Sequence, residues 1–89
     1  MERYFVGSPH TPQECLRALD EILAKGPGLL DTYEWGCMAG DHTGYAIVDA
    51  RSESEVREAI PAFLNGKARV VKLNKFTTEQ IREFHRKTA

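Results

Sequence analysis

Side chains that can bind metals or transfer protons near neutral pH occur in two short stretches of this chain. The first stretch contains His10, and the second contains Cys37, Asp41 and His42. Imidazole, thiolate and carboxylate groups are common ligands of zinc and nickel. Either histidine could also act as an acid or base, with Asp41 orienting one ring. The residues therefore predict a metal site or an acid–base site, provided that the fold brings the two stretches together.

Simpler interpretations of the same residues stay open. The sequence has no C-x-x-C and no H-x-x-x-H motif, and Asp41 beside Gly40 is also typical of a turn that the aspartate caps. Cys37 could be a nucleophile, but packing at the edge of a hairpin is the preferred interpretation. Cys15 is predicted to pack against the core.

Aromatic side chains suggest a second kind of site. Trp35 and Tyr45 could line a ligand pocket together with His10, although aromatic residues at these positions also fit the core of a sheet or of a dimer. His85 is predicted to lie on the surface beside Arg86 and Lys87.

The elements that must position these residues can be predicted from capping signals and apolar spacing. Thr11-Pro12-Gln13-Glu14 is a capping box with proline at the first helical position, and Lys25-Gly26-Pro27 ends that helix. Similar start signals precede the later helices, at Ser52 and at Thr77. In chain order, we expect a strand over 3–8, a helix from 11, strands over 29–37 and 44–50, a helix from 52, a strand over 68–73 and a terminal helix from 77.

Each predicted helix has an apolar face. The first presents its apolar residues at helical spacing, and in the second Pro61 should kink the helix or end it early. On the terminal helix, Ile81 and Phe84 are expected on the buried side. The apolar residues of the first two helices are Cys15, Leu16, Leu19, Ile22 and Leu23, and Val56, Ala59, Ile60 and Phe63.

The order of elements, β-α-β-β-α-β with an added helix, is that of a split βαβ or ferredoxin-like domain covering residues 1–89. Right-handed crossovers give an α+β fold with an antiparallel sheet in strand order 4-1-3-2. The end of the first strand and the hairpin after the second then lie at one edge. This places His10 near Cys37, Asp41 and His42, with Lys67 in the same region.

One face of that sheet would have no helix from the first six elements. Tyr45 and Ile47, with Tyr33 or Trp35, are expected on this apolar face, which needs a cover in water. We expect a homodimer with the sheets face to face, with or without the terminal helix, and with a ligand cavity between them.

Nearly the whole chain resembles the dimeric α/β-barrel superfamily, which includes small monooxygenases and muconolactone isomerase-like enzymes. The resemblance depends on Trp35-Gly36, on the strand 44–50 leading into Ser52-Glu53-Ser54-Glu55, and on the basic strand 69–73. It is greatest to short uncharacterised bacterial domains, and small nickel-binding proteins of the superfamily are more distantly similar. The resemblance implies a dimer with a cavity between the sheets, and it implies no catalytic residue.

Composition excludes some classes of function. The net charge of -1 and the mixed charges argue against nucleic-acid binding, and no apolar run is long enough for a membrane span. An apolar leader is absent from the start, so we expect a cytoplasmic protein whose cysteines, Cys15 and Cys37, are reduced.

Together these features predict a small homodimeric domain that binds a small ligand or a metal ion at the sheet edge or in the cavity. The expected ligand-binding residues are His10, Trp35 and Tyr45. The expected metal ligands are His10, Cys37, Asp41 and His42, with nickel or zinc as the ion. The alternative is a cofactor-free isomerase or monooxygenase-like enzyme acting on a small apolar or aromatic substrate. Whether the protein is an enzyme stays open.

Overall fold

The fold was analysed in a computed structural model that describes residues 1–88. The chain forms one sheet with helices between and after its strands. The strands are β1 (Glu2–Pro9), β2 (Tyr33–Trp35), β3 (Thr43–Ala50) and β4 (Arg69–Leu73), and the α-helices are α1 (Cys15–Lys25), α2 (Pro27–Thr32), α3 (Glu53–Glu58) and α4 (Thr78–Thr88). Short 3-10 turns occupy Pro12–Glu14, Cys37–Ala39 and Ala62–Leu64.

The four strands are in the order β2-β3-β1-β4, and each neighbouring pair is antiparallel. From the opposite edge this is the order 4-1-3-2 that the sequence predicts, and the expectation of an α+β domain with an antiparallel sheet is confirmed. Since β1 and β2 are both antiparallel to β3, their ends meet at one edge. That edge, where Pro9 pairs with Thr43, is called the sheet rim below.

The core lies between the sheet and helices α1 and α3. Tyr4 and Val6 alternate with more exposed neighbours on β1 and face Ile22 of α1 and Val56 of α3 in one buried cluster. Alternate residues of a strand point to opposite faces, so the same alternation defines an outer face on the far side of the sheet. Helix α3 ends at Glu58, three residues before Pro61, as the sequence predicts.

The predicted strand over 29–37 is wrong in its first half. Residues Pro27–Thr32 are helical, and only Tyr33–Trp35 are extended. Gly26 has φ 142°, a backbone angle that favours glycine, and Pro27 then occupies the first helical turn, where its missing N–H costs nothing. The apolar pair Leu29–Leu30 packs partly buried against the core from this short helix.

The expected burial of the terminal helix is also wrong. No residue of α4 is buried, and Ile81 and Phe84 are 48% and 50% exposed. Phe76 packs against Phe84 with ring centroids 5.6 Å apart. The helix projects from the rest of the chain, so the longest dimension is 52 Å and the radius of gyration is 16.2 Å. A compact domain of this length would have a radius of about 12 Å.

The aromatic residues divide differently from the expected arrangement. Tyr33 pairs with Ala46 and Trp35 with Gly44, so both rings lie on the helix side, where Tyr33 is buried. Tyr45 and Ile47 are exposed on the outer face, as predicted. The strand register adds Phe5, Val71 and Leu73 to that outer face. None of the described helices is long and apolar enough to cross a membrane.

Candidate metal centre

Four side chains with metal-binding atoms converge at the sheet rim. Each contributes one potential ligand atom, and all of these atoms lie within 4.8 Å of one another. The members of this rim cluster are His10, Cys15, Cys37 and His42. The sequence-based expectation that His10, Cys37 and His42 meet at this edge is therefore met by their geometry.

The two histidines are held by the backbone of the sheet. His10 directly follows β1, and His42 directly precedes β3. The N–H of His10 donates to the carbonyl of His42 over 2.9 Å, which extends the antiparallel pairing one step beyond Pro9 and Thr43. This hydrogen bond holds the two main chains side by side, and the centroids of the two imidazole rings are 5.9 Å apart.

The predicted capping box positions Cys15. The Thr11 hydroxyl accepts from the N–H of Glu14 over 3.2 Å, and the Glu14 carboxylate accepts from the N–H of Thr11 over 2.8 Å. Lys67 pairs with the same carboxylate at 3.0 Å, and these contacts, the Thr11 N–H first, lower the pKa of Glu14. Because Cys15 is the first residue of α1, this fixed helix start places its thiol beside the sheet rim.

A tight turn between β2 and β3 presents Cys37. The N–H of Gly40 donates to the carbonyl of Cys37 over 3.1 Å, and the N–H of Asp41 donates to the carbonyl of Gly36 over 3.0 Å. Gly40 has φ 91°, and a Cβ at Gly36 would lie 2.7 Å from the Asp41 carbonyl oxygen. The turn therefore requires glycine at both positions. Its tight backbone places the Cys37 side chain close to the start of α1.

Polar contacts link the cluster in a chain. The Cys15 thiol donates to Cys37 Sγ at 3.5 Å, and Cys37 Sγ lies 3.2 Å from His10 Nε2. On the other side of the ring, His10 Nδ1 lies 3.4 Å from the carbonyl of Ser8. A carbonyl can only accept, so a neutral His10 that bonds Ser8 carries its proton on Nδ1, which leaves the Nε2 lone pair facing Cys37.

The protonation of Cys37 follows from its surroundings. Burial, followed by the neighbouring Cys15 thiol, raises the pKa of Cys37. A thiol with a raised pKa reacts slowly as a nucleophile at neutral pH, which argues against Cys37 as the nucleophile of a catalytic cycle, the role that the sequence left open. A bound cation would reverse this preference, because a coordinating thiol is deprotonated.

Two distances in the cluster are close to the ligand–ligand distances of a tetrahedral zinc site. With Zn–S bonds of about 2.3 Å and Zn–N bonds of about 2.0–2.1 Å, two sulfur ligands lie about 3.8 Å apart and a sulfur and a nitrogen about 3.5 Å apart. The chain places Cys15 Sγ 3.5 Å from Cys37 Sγ, and Cys37 Sγ 3.2 Å from His10 Nε2. Adjustments of about 0.3 Å would therefore satisfy tetrahedral coordination along these two edges.

An unpartnered nitrogen is a further sign of a ligand. Nδ1 of His42 is buried and has no hydrogen-bond partner among the described residues. Buried polar atoms in proteins almost always have a partner, because leaving one unpaired costs free energy. Coordination of Nδ1 to an ion in the cluster would give this nitrogen the polar partner that the described residues do not supply.

Trp35 covers one side of the cluster. Its ring lies 5.9 Å from the His10 ring and stacks on Tyr33 at 5.5 Å. A Cβ at Gly44 would come within 2.8 Å of the indole, so glycine is required for this close approach. The indole shields His10 from solvent, and His10 is 6% exposed.

Asp41 and Tyr45 interact with each other. The Asp41 carboxylate accepts from the hydroxyl of Tyr45 over 2.5 Å and from that of Thr43 over 2.7 Å. These hydrogen bonds, Tyr45 first, lower the pKa of Asp41. The carboxylate is thus engaged in the turn, and it is not one of the four converging groups. Of the expected ligand-binding residues, His10 and Trp35 are neighbours, whereas Tyr45 lies on the outer face.

Sequence reasoning missed Cys15, which was expected to pack. A signal was present in the spacing: His10 and Cys15 form H-x4-C, and Cys37 and His42 form its mirror image, C-x4-H. Pairs of ligands at short, regular spacing are typical of structural zinc sites. Here each pair mixes one histidine with one cysteine, so a search for like pairs does not find it.

Comparison of the chain with protein-family models, curated proteins and solved structures gave no match. The resemblance to dimeric α/β-barrel proteins therefore stays a prediction.

Proposed function

We propose that this protein is a metal-binding domain that holds a zinc ion between His10, Cys15, Cys37 and His42. The observation that carries the proposal is the convergence of four ligand atoms, from two separate segments, to within 4.8 Å of one another. Two residues come from the connection between β1 and α1, and two from the turn between β2 and β3. A bound ion would join these segments across the sheet rim.

The types of ligand atom in the rim cluster favour zinc over nickel. Thiolate and imidazole ligands together in a tetrahedral arrangement are typical of zinc, whereas nickel favours square-planar sites with nitrogen and oxygen ligands. Nickel, which the sequence analysis also predicted, is the competing ion in any test of selectivity.

The number of protein ligands distinguishes binding from metal-assisted hydrolysis. Catalytic zinc usually has three protein ligands and keeps one position open for water or substrate, while structural zinc has four. The rim cluster offers four groups, which complete a tetrahedral shell. The proposed role is therefore structural: the ion stabilises the fold by linking the two segments at the sheet rim.

Cobalt titration of the reduced protein tests the proposal. Cobalt(II) adopts tetrahedral sites built for zinc, and its visible absorption and sulfur-to-cobalt charge-transfer bands report geometry and thiolate ligands. We expect saturation at one cobalt per chain, and we expect zinc to displace the cobalt. Substituting a single ligand should weaken binding by more than about 100-fold, since losing even the outer partners of a ligand costs 10–100-fold.

The matched variants are Cys37→Ser and Met38→Ser. They alter neighbouring residues of the same turn, but Met38 is fully exposed and lies outside the cluster. Met38→Ser should bind cobalt as the unaltered protein does. Equal binding by both variants, or an octahedral cobalt spectrum without charge-transfer bands, would contradict the proposal.

We also propose that the fold is ferredoxin-like and that two copies associate, with α4 of each covering the outer face of the other. Two apolar surfaces of one chain support this. Tyr45 and Ile47 are exposed on the outer face, and α4 exposes Ile81 and Phe84 without packing them on its own sheet. A second copy supplies the complement to both surfaces at once.

Free thiols at Cys15 and Cys37 agree with the proposed cytoplasmic location.

An enzyme acting on a small apolar substrate is the second candidate. A cavity of about 380 Å³ on the outer face is lined partly by Phe5, Tyr45 and Ile47, and a second copy would close it. Its test is a binding measurement. A substrate site requires that small aromatic compounds bind the dimer and that Ile47→Trp, which fills the cavity, abolishes this binding. If α4 of the partner fills the cavity, neither effect will be observed.

A further inference from the structure

We propose that Cys15 and Cys37 form an intramolecular disulfide that excludes the metal, so that oxidation by a peroxide switches the rim cluster from metal binding to a covalent cross-link. This inference concerns regulation of the same cluster and rests on the proposed function. It would make the site sensitive to the redox state of its surroundings.

The separation of the two sulfur atoms carries the inference. Cys15 Sγ and Cys37 Sγ are 3.5 Å apart, and both cysteines are free. A disulfide bond is about 2.05 Å long, so closing the gap requires an approach of about 1.5 Å, shared between two side chains. Cys37 lies in a 3-10 turn, Cys37–Ala39, that contains no buried residue, so this approach displaces no core side chain of the turn.

The pair is accessible to a small oxidant. Both cysteines are partly exposed, and Leu16 and Met38, which follow them in the chain, are exposed. The pair therefore lies near the protein surface, where a molecule as small as a peroxide can approach it. The buried partner His10, by contrast, is shielded by Trp35.

The reaction with hydrogen peroxide balances in two steps. One cysteine sulfur attacks a peroxide oxygen, the O–O bond breaks, and a sulfenic acid and one water form. The second sulfur attacks the sulfenic sulfur, the S–S bond forms, and the oxygen leaves as a second water. Two electrons pass from the sulfur atoms to the peroxide, and the two thiol protons end in the waters.

Metal binding and the disulfide exclude each other by geometry and by charge. Zinc ligands require thiolates about 3.8 Å apart, whereas the disulfide holds two neutral sulfur atoms at about 2.05 Å. Only two of the four ligands, His10 and His42, would then be left. Oxidation should therefore release the ion, and a bound ion should protect the thiols by engaging their lone pairs.

The test is peroxide treatment of metal-free protein and of zinc-loaded protein, followed by intact-mass and peptide analysis. Metal-free protein should lose the mass of two hydrogen atoms and yield a peptide pair linked through Cys15 and Cys37. If oxidation proceeds through the metal-free fraction, zinc held at about 100 times its Kd should slow it about 100-fold. The oxidised protein should no longer bind cobalt, and a dithiol reductant should restore binding.

His42→Ala is the matched control, because it keeps both thiols and removes one proposed metal ligand. Its disulfide should form as in the unaltered protein, but without protection by zinc. Formation of sulfinic acid or of disulfide-linked dimers in place of the internal disulfide would overturn the inference, even if cobalt binds. Internal disulfide formation at equal rates with and without zinc, in protein that binds no cobalt, would instead refute the proposed metal site.

Discussion

The sheet rim and the terminal helix both carry side chains that a further partner would satisfy, but they differ in where that partner can come from. At the sheet rim, His10, Cys15, Cys37 and His42 point at one another, so a single ion within the chain can satisfy them together. On α4, Ile81 and Phe84 are exposed and point away from their own core. In the proposed arrangement, an ion completes the sheet rim, whereas a second copy of the chain covers α4.

The interactions proposed for the two regions also differ in whether they depend on direction. Coordination bonds require a fixed geometry, which the sheet backbone and the glycine turn supply. Apolar burial is non-directional and contributes in proportion to area. The two regions should consequently respond independently to substitution, because α4 lies outside the sheet that positions the ligands.

The largest expected effect is the loss of metal-dependent stability in Cys15→Ser. An ion that binds only the folded state, at about 1,000 times its Kd, raises the free energy of unfolding by about 4 kcal/mol. Zinc should stabilise the unaltered protein by this amount in thermal or urea unfolding, and it should stabilise Cys15→Ser far less. Leu16→Ser, an exposed neighbour on the same helix turn, is the control and should keep the effect. Equal stabilisation of Cys15→Ser would remove Cys15 from the ligand set.

The next largest effect should follow the double substitution Ile81→Ser with Phe84→Ser. Burying one such side chain contributes about 1.5–3 kcal/mol, so losing both should weaken dimerisation by about 100-fold or more. Sedimentation equilibrium measures this, with the exposed Lys87→Ser as a control. Zinc affinity should not change. A monomeric unaltered protein at all concentrations, or a dimer insensitive to the double substitution, would contradict the proposed role of α4.

A smaller, graded effect is expected from pH. Burial raises the pKa of Cys37, so the thiol is protonated in metal-free protein at neutral pH and must lose its proton to bind zinc. Zinc affinity should thus rise with pH, about tenfold per pH unit for each proton released. Calorimetry in buffers of different ionisation enthalpy counts those protons. Proton-independent zinc binding would exclude thiol ligands.

The smallest effect is expected from Asp41→Asn. The carboxylate accepts hydrogen bonds from Thr43 and Tyr45 and is not among the four converging groups. Its loss should reduce zinc affinity less than about tenfold, the lower bound for an outer partner of a ligand. A loss as large as that of Cys37→Ser would instead support the ligand set expected from the sequence, with Asp41 in place of Cys15.

Most helices and strands, and their order in the sheet, could be predicted from the sequence because the signals for them are local. The capping box at Thr11 and Glu14 fixes the start of the first helix, and Pro61 limits the second. Alternation along β3 places Ala46 inside and Ile47 outside. From these elements, the crossover rule gave the strand order and thus the proximity of His10 to His42.

The errors arose where tertiary packing decides. The alternation around Tyr33 and Trp35 extended the predicted strand over Leu29 and Leu30, although Gly26 and Pro27 start a helix there. The apolar residues along one face of α4 predict that this face is buried, but they do not show which surface it packs against. Cys15 could equally pack or coordinate, and the sequence does not show that its thiol lies 3.5 Å from Cys37 Sγ.

X-ray absorption spectroscopy of the zinc-loaded, reduced protein tests the central claim most directly, because it counts the atoms bound to the ion. The account predicts two sulfur atoms at about 2.3 Å and two nitrogen atoms at about 2.0–2.1 Å. In Cys15→Ser one sulfur should be missing, and in Asp41→Asn the shell should be unchanged. A shell of nitrogen and oxygen atoms alone would contradict a site built from Cys15 and Cys37.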